Sequence, residues 1–148
     1  MNKYIEVIVI GVLLVFGIFL DGFNTKAETD KGIYYDNVNY SDNVKLNRVD
    51  GMNIDYSAEL LVPGDFYELT FDVVNESLYD VSFADINLNK DDKYIHYELT
   101  YNDGSTINIG DIVKKGEKKQ LKYKVLYKKL VLEDYEFDTA FYLNFEQA

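Results

Sequence analysis

The chain has 148 residues, 26 Asp+Glu against 15 Lys+Arg, a formal net charge of −11 and a sequence pI of about 4.4. It has no cysteine, which excludes disulfides, thiolate metal sites, cysteine nucleophiles and a lipoprotein-type cysteine anchor. A hydrophobic content of 47% and an aromatic content of 16% are too high for a disordered chain and enough for the core of one domain. The acidity argues against binding nucleic acid, whose phosphates need a basic face, and gives no reason to expect adhesion to anionic lipid.

The first segment reads as an export signal. Residues 7–20 (VIVIGVLLVFGIFL) are uninterrupted apolar sequence, ended by Asp21 and Gly22. A membrane-spanning helix needs about 20 apolar residues and a signal h-region about 7–15, so this run fits the signal. Thr25-Lys26-Ala27 places small residues at −3 and −1 of a cleavage site after Ala27. An uncleaved N-terminal anchor helix over residues 1–23 is the second reading, and a buried helix the third. In the first two the remainder lies outside the cytoplasm. Three parts follow: residues 1–27 as signal peptide or membrane anchor, 28–43 as an N-terminal extension or first strand, and 44–148 as the folded domain.

From Ile33 onward the pattern is period-two alternation rich in Val, Ile, Tyr, Phe and Thr. Residues 33–40 and 44–49 are the weaker candidate strands. Residues 52–60 set Met52, Ile54, Tyr56, Ala58 and Leu60 against Asn53, Asp55, Ser57 and Glu59. Val62-Pro63-Gly64-Asp65 suits a type II turn. Residues 66–75 alternate Tyr67, Leu69, Phe71 and Val73 with polar neighbours. Residues 79–88 change parity between Phe83 and Ile86, which predicts a bulge near Ala84-Asp85. Residues 94–101 alternate again, and Asn102-Asp103-Gly104-Ser105 is a hairpin signal. Gly110-Asp111 and Lys115-Gly116-Glu117 mark turns before the strands expected at 120–127 and 135–145. Seven or eight short strands, each apolar on one face, predict an all-β fold: an immunoglobulin-like antiparallel β-sandwich. Leu69, Phe71, Val73, Leu99, Leu121, Val125, Phe141 and Leu143 are the expected core.

Two runs carry a resemblance. Leu61-Val62-Pro63-Gly64-Asp65, the alternating strand to Val73 and Asn75-Glu76-Ser77 form the pattern PGD, strand, V-x-N-x-(G/S). Gly110-Asp111-Ile112-Val113-Lys114-Lys115-Gly116-Glu117-Lys118-Lys119 forms the pattern GD-x-(L/V)-x-x-GE-K-K before the next strand. Together they resemble small secreted β-sandwich proteins of Gram-positive bacteria, TasA/camelysin-like in the broad sense. The resemblance implies a surface or matrix protein of biofilms, with fibres built by a donor strand. Camelysin-like proteins have been classed as metallopeptidases, an activity for which this chain lacks the residues.

The chemistry-bearing residues are sparse. His96 is the single histidine and falls on the polar face of its strand, so a two-His zinc site and an H-E-x-x-H motif are excluded. No G-x-S-x-G, G-x-G-x-x-G or Walker A motif occurs, and nothing in spacing favours a Ser-His-Asp set around His96. The many Asp residues read as a solvating surface rather than as paired glycosidase carboxylates. Asp36-Asn37-Val38-Asn39 with Asp42-Asn43, and Asn89-Lys90-Asp91-Asp92, are rich enough in oxygen for calcium, but both depart from the calcium-loop pattern and read as Asx turns. Lys114, Lys115, Lys118, Lys119, Lys122, Lys124, Lys128 and Lys129 read as a solvent face or a protected sheet edge. The acidic residues 133–138 follow them, a charge separation suited to head-to-tail association. Asn39-Tyr40-Ser41 and Asn75-Glu76-Ser77 match glycosylation sequons, and the C-terminus carries no sorting motif with an apolar tail.

The expectation is therefore a non-enzymatic exported protein, secreted or anchored to the outer face of the cell membrane. It would act through protein partners or other copies of itself, with no catalytic residue, cofactor, metal or nucleic acid. Residues 28–43 are the expected donor if copies exchange strands. A glycan- or ligand-binding module outside the cytoplasm is the alternative.

Overall fold

The computed structural model describes residues 30–131 and 140–148, together with the backbone of Ile5–Ile10. All regular elements among these residues are strands: β1 (Ile5–Ile10), β2 (Gly32–Tyr40), β3 (Val44–Asp50), β4 (Asn53–Leu60), β5 (Phe66–Glu76), β6 (Val81–Leu88), β7 (Ile95–Tyr101), β8 (Ile112–Val113), β9 (Lys118–Tyr127) and β10 (Phe141–Gln147). They form a four-stranded sheet in the order β2-β5-β9-β7 and two three-stranded sheets, β1-β4-β3 and β10-β6-β8, with every pairing antiparallel.

Alternation decides the inward faces. Along β9, Leu121, Tyr123, Val125 and Tyr127 are buried, while Lys122, Lys124 and Leu126 between them are half-exposed. Each pairs with a residue of like burial: Leu121 with Phe71, Tyr123 with Leu69 and Val125 with Tyr67 on β5. Register is set by these pairs, because a one-residue slip would turn the whole apolar row to water. All eight residues expected in the core are buried.

Aromatic contacts bring the sheets together. Phe71 of β5 stacks on Phe141 of β10 with ring centroids 5.4 Å apart. Tyr35 of β2 lies 4.8 Å from Phe71, and Tyr123 of β9 lies 4.8 Å from Phe141. Tyr56 of β4 meets Tyr67 of β5 edge-on at 5.7 Å, and their hydroxyls are 3.0 Å apart. The four-stranded sheet thus contacts both three-stranded sheets. Offset and edge-on ring pairs of this kind contribute beyond their buried area.

The parity change in β6 is a bulge at the expected place: the register with β10 steps from Asn144↔Asp85 to Phe145↔Phe83, leaving Ala84 without an opposite residue. The turn at Val62-Pro63-Gly64-Asp65 also has its expected form. The Asp65 N–H donates to the Val62 carbonyl at 3.0 Å, and Gly64 takes φ 99°, a conformation side chains with Cβ resist.

Several expectations change. β9 lies between β5 and β7, so its lysines line a solvent face and not a sheet edge. The 102–105 turn closes tightly, but only the Thr100↔Thr106 bridge follows it before the chain crosses to β8 on another sheet. β8 is an unexpected strand, too short for a period to register. β6 begins at Val81, because Leu78, Tyr79 and Asp80 are exposed and turn the chain. β2 carries an unexpected bulge: Asn37 takes φ 51° and the register shifts between Asp36 and Asn39. Asn tolerates this left-handed conformation better than most residues. At the front of the chain, Ile5–Ile10 pairs with β4 from Ile5↔Leu60 to Ile10↔Asp55. The rest of the expected signal or anchor helix lies outside the described residues, as does the 132–139 stretch holding the acidic run and the start of the last expected strand.

Replacing Phe71 or Phe141 by Ala should cost about 3–5 kcal/mol, since each removal empties a site that the opposite sheet cannot refill. Urea unfolding checks this, and a loss under about 1 kcal/mol at both positions would place these rings outside the load of the core.

Candidate functional site

The densest polar arrangement lies where β5 ends. Asn75 is fully buried, and its carboxamide is used at every position. Nδ2 donates to the carbonyls of Tyr79 and Val113, 2.9 Å each, and Oδ1 accepts from the Ser77 N–H at 3.0 Å and the Ser77 hydroxyl at 2.5 Å. Its backbone N–H donates to Glu117 O at 3.0 Å, and its carbonyl accepts from the Gly116 N–H at 2.7 Å. One residue thereby ties the end of β5 to the turn into β6 and the end of β8 through its side chain, and to the turn into β9 through its backbone. The V-x-N-x-S and GD-x-V-x-x-GE motifs, far apart in sequence, meet here. The Asn75 sequon is no accessible acceptor, because both amide hydrogens are engaged inside the protein.

The neighbouring acidic side chains are similarly committed. Asp111 Oδ2 accepts from the Asn108 N–H at 2.9 Å and the Tyr101 hydroxyl at 2.7 Å. These bonds hold the Asp111 carboxyl below its ordinary range, while burial and the Asp111 charge push the Tyr101 hydroxyl up. Glu117 accepts from the Lys114 N–H at 2.8 Å and pairs with Lys119 at 3.0 Å, and both lower its pKa. Asp103 is lowered by the hydroxyl and N–H of Ser105. Asp80 accepts from the Lys115 N–H at 2.8 Å.

A second polar junction lies at the other end of β5. Asn43 donates from Nδ2 to the carbonyls of Glu59 on β4 and Phe66 on β5, at 3.0 and 3.1 Å, so it spans two sheets. The Ser41 hydroxyl accepts from the Glu68 N–H at 2.8 Å. Asp65 Oδ2 accepts from the N–H groups of Leu61 and Val62, and the Gly64 N–H donates to Tyr127 O at 2.7 Å. An open depression beside this junction is lined by Asn43, Glu59, Leu61, Gly64, Asp65 and Phe66.

The two oxygen-rich clusters separate into local turns. Asp92 accepts from the N–H groups of Tyr94 and Ile95, and Asp91 from that of Tyr97. Asp36 and Asn37 belong to the β2 bulge, where Asn37 Nδ2 donates to Asp72 at 3.4 Å. Among the described residues no group of three or more His, Asp or Glu side chains is placed to hold a metal ion. His96 faces outward as expected, and its Nδ1 pairs with Asp91. Burial raises the Asp91 pKa, but the His96 and Tyr97 hydrogen bonds outweigh it and leave the carboxyl low. The lysines disperse: Lys118 pairs with buried Asp72 at 3.1 Å, and Lys124 lies 4.5 Å from the Phe66 ring centroid and 3.9 Å from Glu68.

The sequence reading did not single out Asn75 and Asn43 as sites. For Asn75 the parity signal was an Asn in the inward row of an alternating apolar strand, after Leu69, Phe71 and Val73. Comparison with protein-family models, curated proteins and solved structures returned no match.

Asn75→Ala should destabilise the protein by about 2–4 kcal/mol, because the buried Val113 carbonyl loses its side-chain donor, the Ser77 turn loses its acceptor and a void replaces the amide. Urea unfolding of this variant beside Asn102→Ala, at an exposed position without a positive φ, measures the difference. The carboxylates of Asp103, Asp111 and Glu117 make a separate prediction. Their folded pKa values lie below the unfolded ones, near 3.8 for Asp and 4.5 for Glu. Their contribution is therefore complete above about pH 5 and is lost as pH falls through the folded values. Thermal melts from pH 6 to pH 2.5 should show stability dropping below pH 4, with a shallower drop in Asp111→Asn.

Proposed function

We propose that this chain is an exported, non-enzymatic protein of the cell surface or extracellular matrix, folded as an immunoglobulin-like β-sandwich and acting through contacts with protein partners or copies of itself. The observation that carries the reading is the edge of β4. Ile5–Ile10, within the segment read as an export signal, runs along this strand over six paired residues. If export removes residues 1–27, the outer edge of β4 is left with unpaired N–H and C=O groups beside buried Tyr56, Ala58 and Leu60. Such an edge accepts a strand, with main-chain hydrogen bonds giving affinity and alternate side chains giving register. Residues 28–43 are a less direct donor: Gly32–Tyr40 is already β2, paired with β5 of its own chain from Gly32↔Glu76 to Tyr40↔Leu69. Donation of that segment would require exchange between copies, whereas the β4 edge needs only addition.

The polar residues support a role carried by surfaces. Asn75, Asn43, Asp65, Asp92 and Asp111 accept or donate to the main chain and serve to fix loops. The test expresses the full chain, fractionates the cells and reads the N-terminus and sedimentation of the recovered protein. A start at or near Glu28, outside the cytoplasm, with mass rising as concentration rises, is the expected result. Recovery only from cytosol with Met1 intact contradicts export, and a monomer at every concentration contradicts self-association.

A further inference from the structure

A regular strand at the edge of a sheet is a template for pairing with another chain, and proteins blunt such edges with bulges, charges or a covering segment. β2 and β3 carry bulges. The register of β2 shifts between Asp36 and Asn39, and that of β3 between Leu46 and Arg48, where Lys45 and Arg48 are also exposed. β8 is only two residues long. β7 has no such defence of its own. It ends the four-stranded sheet and pairs with β9 over seven residues, from Ile95↔Tyr127 to Tyr101↔Leu121, without a shift. Its inward residues Ile95, Tyr97 and Leu99 are buried.

Successive residues of an antiparallel strand turn their N–H and C=O groups to opposite sides. On β7 the groups turned away from β9 are met by the preceding loop, residues 89–94. The Ile95 N–H donates to Asp92 Oδ1 at 2.7 Å, and the Ile95 carbonyl accepts from the Asp92 N–H at 3.1 Å. The Tyr97 N–H donates to Asp91 Oδ1 at 2.9 Å, across six positions. Asp91 Oδ2 pairs with His96 Nδ1, which fixes the carboxylate along the strand. At the far end the Tyr101 N–H donates to the Ser105 carbonyl at 2.9 Å, beside the Thr100↔Thr106 bridge. The outward N–H groups of Ile95, Tyr97 and Tyr101 are thus all taken by the chain itself.

We infer that the 89–94 loop is an autoinhibitory strap over the β7 edge. Asp91 and Asp92 place carboxylate oxygens where the strand of a second copy would place carbonyls, and so keep this sheet from adding strands. An Asx turn alone needs only Asp92, whose Oδ1 accepts from the Tyr94 and Ile95 N–H groups. Asp91 closes no such turn; it reaches past Ile95 to the next outward N–H of the strand. The inference concerns a different edge from β4 and does not depend on strand addition there. Its chemical content is an acceptor atom at each position, which an amide oxygen supplies as well as a carboxylate does.

Two double variants of the full chain separate the strap from its charge. Asp91→Ala with Asp92→Ala removes both acceptors. Asp91→Asn with Asp92→Asn removes the same two charges and keeps a side-chain oxygen at each position. Urea midpoints confirm folding, and Asp91→Ala alone, which keeps the Asp92 turn, makes the same comparison where the double alanine variant does not fold. In sedimentation velocity the alanine variant should associate roughly tenfold or more tightly than the parent, and the asparagine variant as the parent does. The Tyr97 amide of the alanine variant should exchange fast with solvent when dilute and become protected on concentration, because β7 then pairs with a second copy. Any addition at the β4 edge is common to all these proteins and cancels in the comparison, so its absence leaves the test intact. An alanine variant that associates no more than the parent overturns the inference. So does an asparagine variant that associates as the alanine one does, or a Tyr97 amide that stays fast in the associated protein.

Discussion

A single buried carboxamide organises one end of this protein. Asn75 sits fully buried at the end of β5, where an apolar residue would fit the alternation, and it satisfies two carbonyls and two donors from two other chain segments, the Ser77–Tyr79 turn and β8. A buried polar group is costly unless every bond is made, and here they are made. The consequence is specificity. β8 is two residues long and gains little from its own ladder, yet Val113 is fully buried because Asn75 fixes the carbonyl of that residue. The turns carrying Asp111 and Glu117 then close on that fixed point, each with a carboxylate accepting a backbone N–H.

The opposite end repeats the device with less burial. Asn43 joins the carbonyls of Glu59 and Phe66 across two sheets, and Ser41 fastens the β2–β3 connection to Glu68. Between the two ends the sheets are held by rings: Tyr35, Phe71, Tyr123 and Phe141 in one group, Tyr56 and Tyr67 in another. This division explains how a chain without a disulfide defines its loops. Apolar packing supplies the free energy, and the asparagines decide which loop goes where.

The strands were legible wherever one face meets the core and the other meets water. β9 alternates from Leu121 to Tyr127, β5 and β7 break the alternation only at buried Asp72 and Thr100, and the Ala84 bulge showed itself as a parity change. β8 was not legible, since two residues carry no period, and neither was the Asn37 bulge, whose Asx-rich surroundings read as local turns. The lysines of β9 were read as a face or an edge because strand order is a long-range property that local pattern does not contain. The polar junctions were hidden for the same reason. Asn75 and Val113 are 38 positions apart. Only the motifs around them hinted that both segments matter, and the reason, a shared set of hydrogen bonds, needed the fold.

The state of the Asn75 side chain tests this account most directly. In a nitrogen-resolved proton spectrum, its two amide hydrogens should be distinct and should exchange with solvent far more slowly than those of exposed Asn102 or Asn108, because each donates to a carbonyl inside the protein. Slow exchange lost in step with global unfolding would confirm that the carboxamide opens only when the fold does. Exchange as fast as that of the exposed asparagines would show that the side chain is solvated, and that β5, β6 and β8 are joined by something else.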